Sequence, residues 1–223
     1  MTKMKDEEVQ DNFKKYPHLK KYFDNIKKKM DEPVFYSILP MDIKGEGNPN
    51  LIYAAQGSVF IHVYKTKDMD EIEYHAIEPE LDENEQIKHD KLLKLIVKKA
   101  PEKDSIITDE ELRDILKELI DEVLVIDENA VEAKKEKKSR FTKTSKSEKI
   151  KATSIQKENI EHFIIKNIVG TSDIECFMRD PYIEDIHIIS GEKIHLIHKI
   201  FSMIKTNIEI PKDTAQLFAR KLS

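Results

Sequence analysis

RDPYIEDIHIISGEKIHLIHKI, residues 179–200, is the stretch on which the fold turns. Pro181 lacks an amide proton and clashes with a preceding helical turn, so the short apolar helix before it cannot continue. Ile183 to Ile189 then reads as a strand, Ser190-Gly191-Glu192 as a turn, and Ile194 to Ile200 as a return strand. A second strand-rich region lies far upstream. Pro33 and Pro40 bracket a strand from Val34 to Leu39, Gly45 to Pro49 form a loop, and residues 51–64 and 71–78 carry β patterns. Val59, Ile61 and Val63 alternate with Phe60, His62 and Tyr64, which predicts a strand covered on both faces. The strand after Pro181 is expected to return to the sheet begun by residues 34–78.

Helical spacing surrounds these strands. Val9, Phe13 and Tyr16 share one face, Pro17 interrupts, and Leu19, Tyr22, Phe23, Ile26 and Met30 resume the period. Asp82, Glu83 and Glu85 lead into a helix ending near Lys99, because negative charge suits a helix N-terminus. Thr108 and Glu111 form a capping-box pattern ahead of the clearest helix, 109–125. Ile160, Phe163, Ile164 and Ile168 mark another helix, closed by Gly170, and Ser172 with Glu175 caps the short one that follows. Pro211 suits the first turn of a last helix, whose apolar spacing at Leu217 and Leu222 predicts a chain cut from a longer polypeptide. The fold class is therefore α+β: N-terminal helices followed by a mixed β-sheet flanked by helices. The expected division is a helical segment over 1–32 and an α+β domain over 33–223.

Residues 134–151, KKEKKSRFTKTSKSEKIK, interrupt this order with nine Lys/Arg against two Glu and almost no apolar content. They predict a basic flexible insertion at about 130–152. The preceding block, 67–128, has the opposite sign, with 21 Asp/Glu against 9 Lys/Arg.

Composition limits the function. Hydrophobic residues make up 39% and charged residues 36%, a strongly solvated globular balance. No window approaches the roughly 18 apolar residues of a membrane span, and the charged N-terminus is unlike a signal peptide. The single cysteine, Cys176, cannot form an internal disulfide, which points to a reducing cytoplasm. A net charge of −5 argues against nucleic-acid binding by the chain as a whole.

No chemistry is complete on its face. A P-loop needs closely spaced glycines and a lysine, and neither Gly45 to Asn50 nor Gly191 to Lys199 has that spacing, so the chain alone is not read as an enzyme. His195 and His198 suit zinc chemically, with His187 across the hairpin. Residues three apart on a strand point to opposite faces, however, so ordinary histidines are the favoured reading and no metal site is assigned. Cys176 stands beside Phe177 and Met178 as a buried, inert thiol. The paired carboxylates are read as solvated faces.

RDPYIEDI (179–186) resembles the hallmark of archaeal type II/IV secretion-system ATPases, the archaellum motor and pilus-assembly ATPases. HLIHKIFSMIKTNI (195–208) resembles the next segment of the same family, and DEPVFYSI (31–38) and YHAIEPELDENE (74–85) resemble earlier motifs. The resemblance covers about 30–38, 74–85 and 160–223. It implies a ring-shaped, usually hexameric parent that hydrolyses ATP with Mg through a C-terminal domain, this chain being the N-terminal regulatory and assembly domain with no cofactor of its own. The implied partners are the ATPase domains of its own and the neighbouring subunit, a membrane platform protein and accessory motor proteins, with no nucleic acid. The implied location is the cytoplasm, peripheral at the inner face of the cell membrane. The resemblance also puts basic side chains of this domain near nucleotide, here Lys199, His198 and Arg179. Lys199 stands where relatives often carry arginine and lacks its bidentate geometry. Arg179 has an alternative use, an ion pair with Asp180 or Asp185. Residues 1–30, read as amphipathic helices with exposed aromatics, are expected to dock partners and to be removable without unfolding the rest. Two other functions fit the composition: a stand-alone adaptor, or a nucleic-acid- or lipid-binding protein acting through residues 134–151.

Overall fold

A computed structural model describes residues 3–99, 108–130, 149–169 and 174–209. The fold is α+β, as expected. The chain divides into two compact units, one from the described parts of 1–79 and 171–223, the other from those of 80–170. This differs from the expected boundary near residue 32, because the N-terminal helices share a core with the sheet.

The first unit begins with α1 (Asp6–Lys15) and α2 (Pro17–Ile26). Pro17 ends one helix and opens the next, since its missing N–H costs nothing at the first helical position. Then come β1 (Val34–Tyr36), β2 (Asn50–Gln56), β3 (Val59–Tyr64) and β4 (Glu73–Ile77). The second unit holds α3 (Glu83–Lys99), α4 (Asp109–Val123), β5 (Leu124–Ile126), β6 (Ile150–Ala152) and α5 (Ser154–Ile168). The chain returns to the first unit with α6 (Glu175–Arg179), β7 (Ile183–His187), β8 (Lys193–His198) and β9 (Ser202–Glu209).

Seven strands form one mixed sheet, ordered β1-β2-β3-β4-β9-β8-β7. The join between the two stretches of sequence is the parallel pair β4·β9, with Glu73 opposite Lys205 and Tyr74 opposite Thr206. The strand after Pro181 does return to the sheet begun upstream, but as its far edge. β3 is covered on both faces, as its pattern predicts.

One face of β1–β4 carries α1 and α2. Phe13, Tyr16 and Leu19 pack there against Phe35, Ile52, Phe60 and Ile77. Burying each such side chain contributes about 2 kcal/mol. The expectation of exposed aromatics and a removable N-terminus is thereby corrected: Phe13 is 6% and Tyr16 7% exposed, and without them four apolar sheet residues would face water. The other face holds the main core, with Leu51, Tyr53, Ile61 and Tyr74 meeting Phe177 of α6 and Leu196 of β8.

In the second unit, α3, α4 and α5 enclose Leu92, Leu116, Ile120, Ile160 and Ile164. The Thr108–Glu111 capping box forms as its sequence predicts. Two expectations are corrected here. α4 stops at Val123, and Leu124–Ile126 becomes a strand, because Val125 and Ile126 are β-branched and Leu124 is drawn into the core. Residues 150–152 are also a strand, parallel to β5, with Ile150 and Ala152 buried and Lys151 outward. Most of the basic run, the helix caps at Gly170 and Ser172, and the helix expected from Pro211 lie outside the described residues.

Candidate functional site

Asp180 caps the C-terminal end of α6, and Pro181 forces the chain out into β7. The Asp180 carboxylate is 4% exposed and fully engaged. Its Oδ2 accepts the Tyr53 hydroxyl at 2.6 Å and the Tyr74 hydroxyl at 2.8 Å, and its Oδ1 accepts the Tyr182 N–H at 2.9 Å. Tyr53 comes from β2 and Tyr74 from β4, so one carboxylate ties α6 to two strands. Burial pushes the Asp180 carboxyl above its usual range despite these donors. The tyrosine hydroxyls are pushed well above 10, first by burial and then by neighbouring groups that include Asp180.

His198 extends this network. Its Nδ1 accepts the N–H groups of Ile200 at 3.1 Å and Phe201 at 3.3 Å, which leaves the proton on Nε2, 3.3 Å from the Tyr53 oxygen. The ring is 1% exposed, and burial pushes it down to about 4, so it is neutral at pH 7. Tyr182 stacks on it with ring centres 5.8 Å apart and accepts the Leu39 N–H at 2.9 Å. The result is a continuous chain of contacts from Leu39 through the half-buried Tyr182 and the buried His198 to Tyr53, Asp180 and Tyr74.

The turn joining β8 to β9 sits on this base. Ser202 holds a φ of +61°, a left-handed conformation that a non-glycine residue rarely adopts. The two backbone N–H groups bound to His198 pin the turn. Lys199 is exposed at its start. Its N–H donates to the Tyr182 carbonyl at 2.9 Å, and its ammonium donates to the Pro181 carbonyl.

The three basic candidates therefore part company. Lys199 reaches the surface beside the Arg179-Asp180-Pro181-Tyr182 segment. His198 points the other way, into the core, and works as a structural acceptor. Arg179 is partly buried and ion-paired to Glu175 one turn back on α6, in place of the alternative pairing with Asp180 or Asp185.

The remaining histidines separate as strand geometry requires. His187 and His195 are cross-strand partners, His187 lies near Asp185 and His195 near Glu71, and His198 lies on the opposite face. Among the described residues no group of three His, Cys, Asp or Glu side chains is placed to hold a metal ion. Cys176 is buried in the main core.

Tyr53 and Tyr74 escaped sequence reasoning. The available signal was the interruption of an aliphatic strand face by tyrosine, whose buried hydroxyl requires a partner. Nothing in the sequence named Asp180 as that partner, across 127 and 106 residues.

No family model matches the chain. It is similar to an uncharacterized protein of Methanocaldococcus jannaschii, 31% identical over 208 residues. The match covers 92% of this chain and 37% of that protein, so the chain spans a little over a third of its relative's length. No described helix is long and apolar enough to cross a membrane.

Proposed function

We propose that the chain is the N-terminal regulatory and assembly domain of a hexameric, ATP-hydrolysing secretion motor that drives an archaellum or a type IV pilus-like filament. It would couple a C-terminal ATPase domain to a membrane platform protein. The observation that carries this reading is that three of the four resembling segments meet: Tyr74 of the second, Asp180 and Tyr182 of the third and His198 of the fourth belong to one network of contacts, the second lying about a hundred residues before the others. The relative of which this chain matches 37% is long enough to hold such a further domain.

In this reading the buried network is a rigid base and Lys199 its working tip. The ammonium rests on the Pro181 carbonyl, a neutral partner. A phosphate group approaching the turn would offer it a full negative charge and a stronger hydrogen bond. Arg179, held by Glu175, would need to exchange that partner to do the same.

The test uses the full-length parent protein. It should hydrolyse ATP through an in-frame P-loop, and Lys199→Ala should lower kcat at least about tenfold with the circular dichroism spectrum unchanged. A parent without a P-loop would overturn the motor reading. An unchanged kcat in Lys199→Ala would remove Lys199 from the nucleotide site.

A further inference from the structure

Two consecutive residues, Pro181 and Tyr182, receive both hydrogen bonds that Lys199 donates. The Lys199 N–H goes to the Tyr182 carbonyl at 2.9 Å, and the ammonium goes to the Pro181 carbonyl. The Pro181 carbonyl and the Tyr182 N–H belong to one planar peptide unit, and the Tyr182 carbonyl opens the next. A tilt of Tyr182 therefore moves both acceptors together. Tyr182 is itself tied at each end. Its N–H donates to Asp180 Oδ1 at 2.9 Å, and its hydroxyl accepts the Leu39 N–H at 2.9 Å. Between these ties the ring stacks on His198 at 16° and meets Tyr53 edge-on at 84°. Leu39 is a fixed point, because its side chain is buried in the main core.

We propose that Tyr182 is the positioning residue of Lys199, and that its hydroxyl sets where the ammonium rests. Stacking is weakly directional and lets a half-buried ring slide, whereas a hydrogen bond at the far end of the ring fixes its tilt. The tilt passes through the Pro181–Tyr182 peptide to both acceptors of Lys199. A hydroxyl with only a structural role would stabilise the fold and leave Lys199 as it is. The placement of the ammonium is a property of this chain. Its effect on hydrolysis rests on the reading of Lys199 as the working tip of a motor domain.

The first test uses the 223-residue chain. Limited acetylation with an N-hydroxysuccinimide ester, followed by peptide mass spectrometry, compares Lys199 with Lys193, an exposed lysine at the start of β8. The tether of Lys199 must open before its nitrogen can attack the ester. Tyr182→Phe should raise the Lys199-to-Lys193 rate ratio about fivefold, the equivalent of one net hydrogen bond. Tyr22→Phe removes a hydroxyl that is bonded to His62 at 2.8 Å on the opposite face of the sheet, and should leave the ratio unchanged. Circular dichroism checks that each variant is folded. An unchanged ratio in Tyr182→Phe, or an equal rise in Tyr22→Phe, would overturn the proposal. In the full-length parent, Tyr182→Phe should lower kcat about fivefold, and Lys199→Ala/Tyr182→Phe should lose no more than Lys199→Ala alone. Losses that multiply would also overturn it, because Tyr182 would then act by another route. A raised labelling ratio beside full activity in the Lys199→Ala parent would support the positioning and remove Lys199 from the nucleotide site.

Discussion

Asp180 ties α6 to two strands of the sheet. Its carboxylate accepts from two buried phenols and one backbone amide, and removing an acceptor strands donors that water cannot reach. Asp180→Asn keeps the shape but turns an amide N–H₂ toward one set of donors. It should cost about 2–4 kcal/mol, read as a lower urea midpoint at an unchanged slope. Tyr53→Phe and Tyr74→Phe should each cost about 1–2 kcal/mol. Combined with Asp180→Asn, they should add little further loss, because the partner is already gone. Full additivity would show that the three side chains act independently. In sequence His198 reads as an ordinary histidine, placed near nucleotide only by the resemblance. Its place facing the core follows from strand alternation, but the backbone amides that occupy Nδ1 come from a turn whose conformation no local pattern specified.

At the scale of elements, β7 is an edge strand whose exposed backbone is a template for unwanted pairing. Several features blunt it. Glu184 and Asp185 are exposed, the register shifts between Ile183 and Asp185, and Asp185 Oδ1 accepts the N–H of Ile186 at 2.8 Å. Glu184→Val/Asp185→Val should therefore raise light scattering over hours at concentrations where the parent chain stays clear. A variant that stays equally clear would show that the carboxylates do not guard the edge. The helices were the legible elements, since an apolar stripe and a capping box repeat within a few residues. The short strands β5 and β6 were not, because three residues are too few to show a period, and β6 is embedded in lysines.

At the scale of the molecule, the buried histidines of the first unit should make it lose stability in acid. His62 is fully buried between α2 and the sheet, where Nδ1 accepts the Tyr22 hydroxyl at 2.8 Å and Nε2 donates to Asn50 at 2.8 Å. Burial pushes it down to about 3, as it pushes His198 down to about 4, both from 6.5. A lowered histidine value means that the folded state favours the neutral ring. That stability is complete above pH 6.5 and drains away as pH falls toward 4, by up to about 3 kcal/mol per histidine. Asp180 has the opposite sign: its raised value returns some stability as pH falls into the window just above 3.8. Both histidines belong to the first unit, and so do all seven tyrosines. The tyrosine near-ultraviolet dichroism should therefore fade between pH 6 and 4 before the helical far-ultraviolet signal does, and His198→Asn should flatten the pH dependence. Coincident loss of the two signals would mean that the units unfold as one.

The sequence by itself determined what repeats over short distances: the amphipathic helices, the break at Pro17, the doubly buried β3, the stop at Pro181 and the hairpin after it. These follow from local sterics and from periodic burial, which a window of ten residues contains. Only the tertiary structure decided which strands are neighbours, that residues 80–170 close on a core of their own, that the N-terminal helices are core rather than appendage, and that Tyr53, Tyr74 and His198 meet on Asp180. Those outcomes depend on contacts between residues from some twenty to more than a hundred positions apart, whose partners are set by the packing of each whole unit and leave no trace in local spacing.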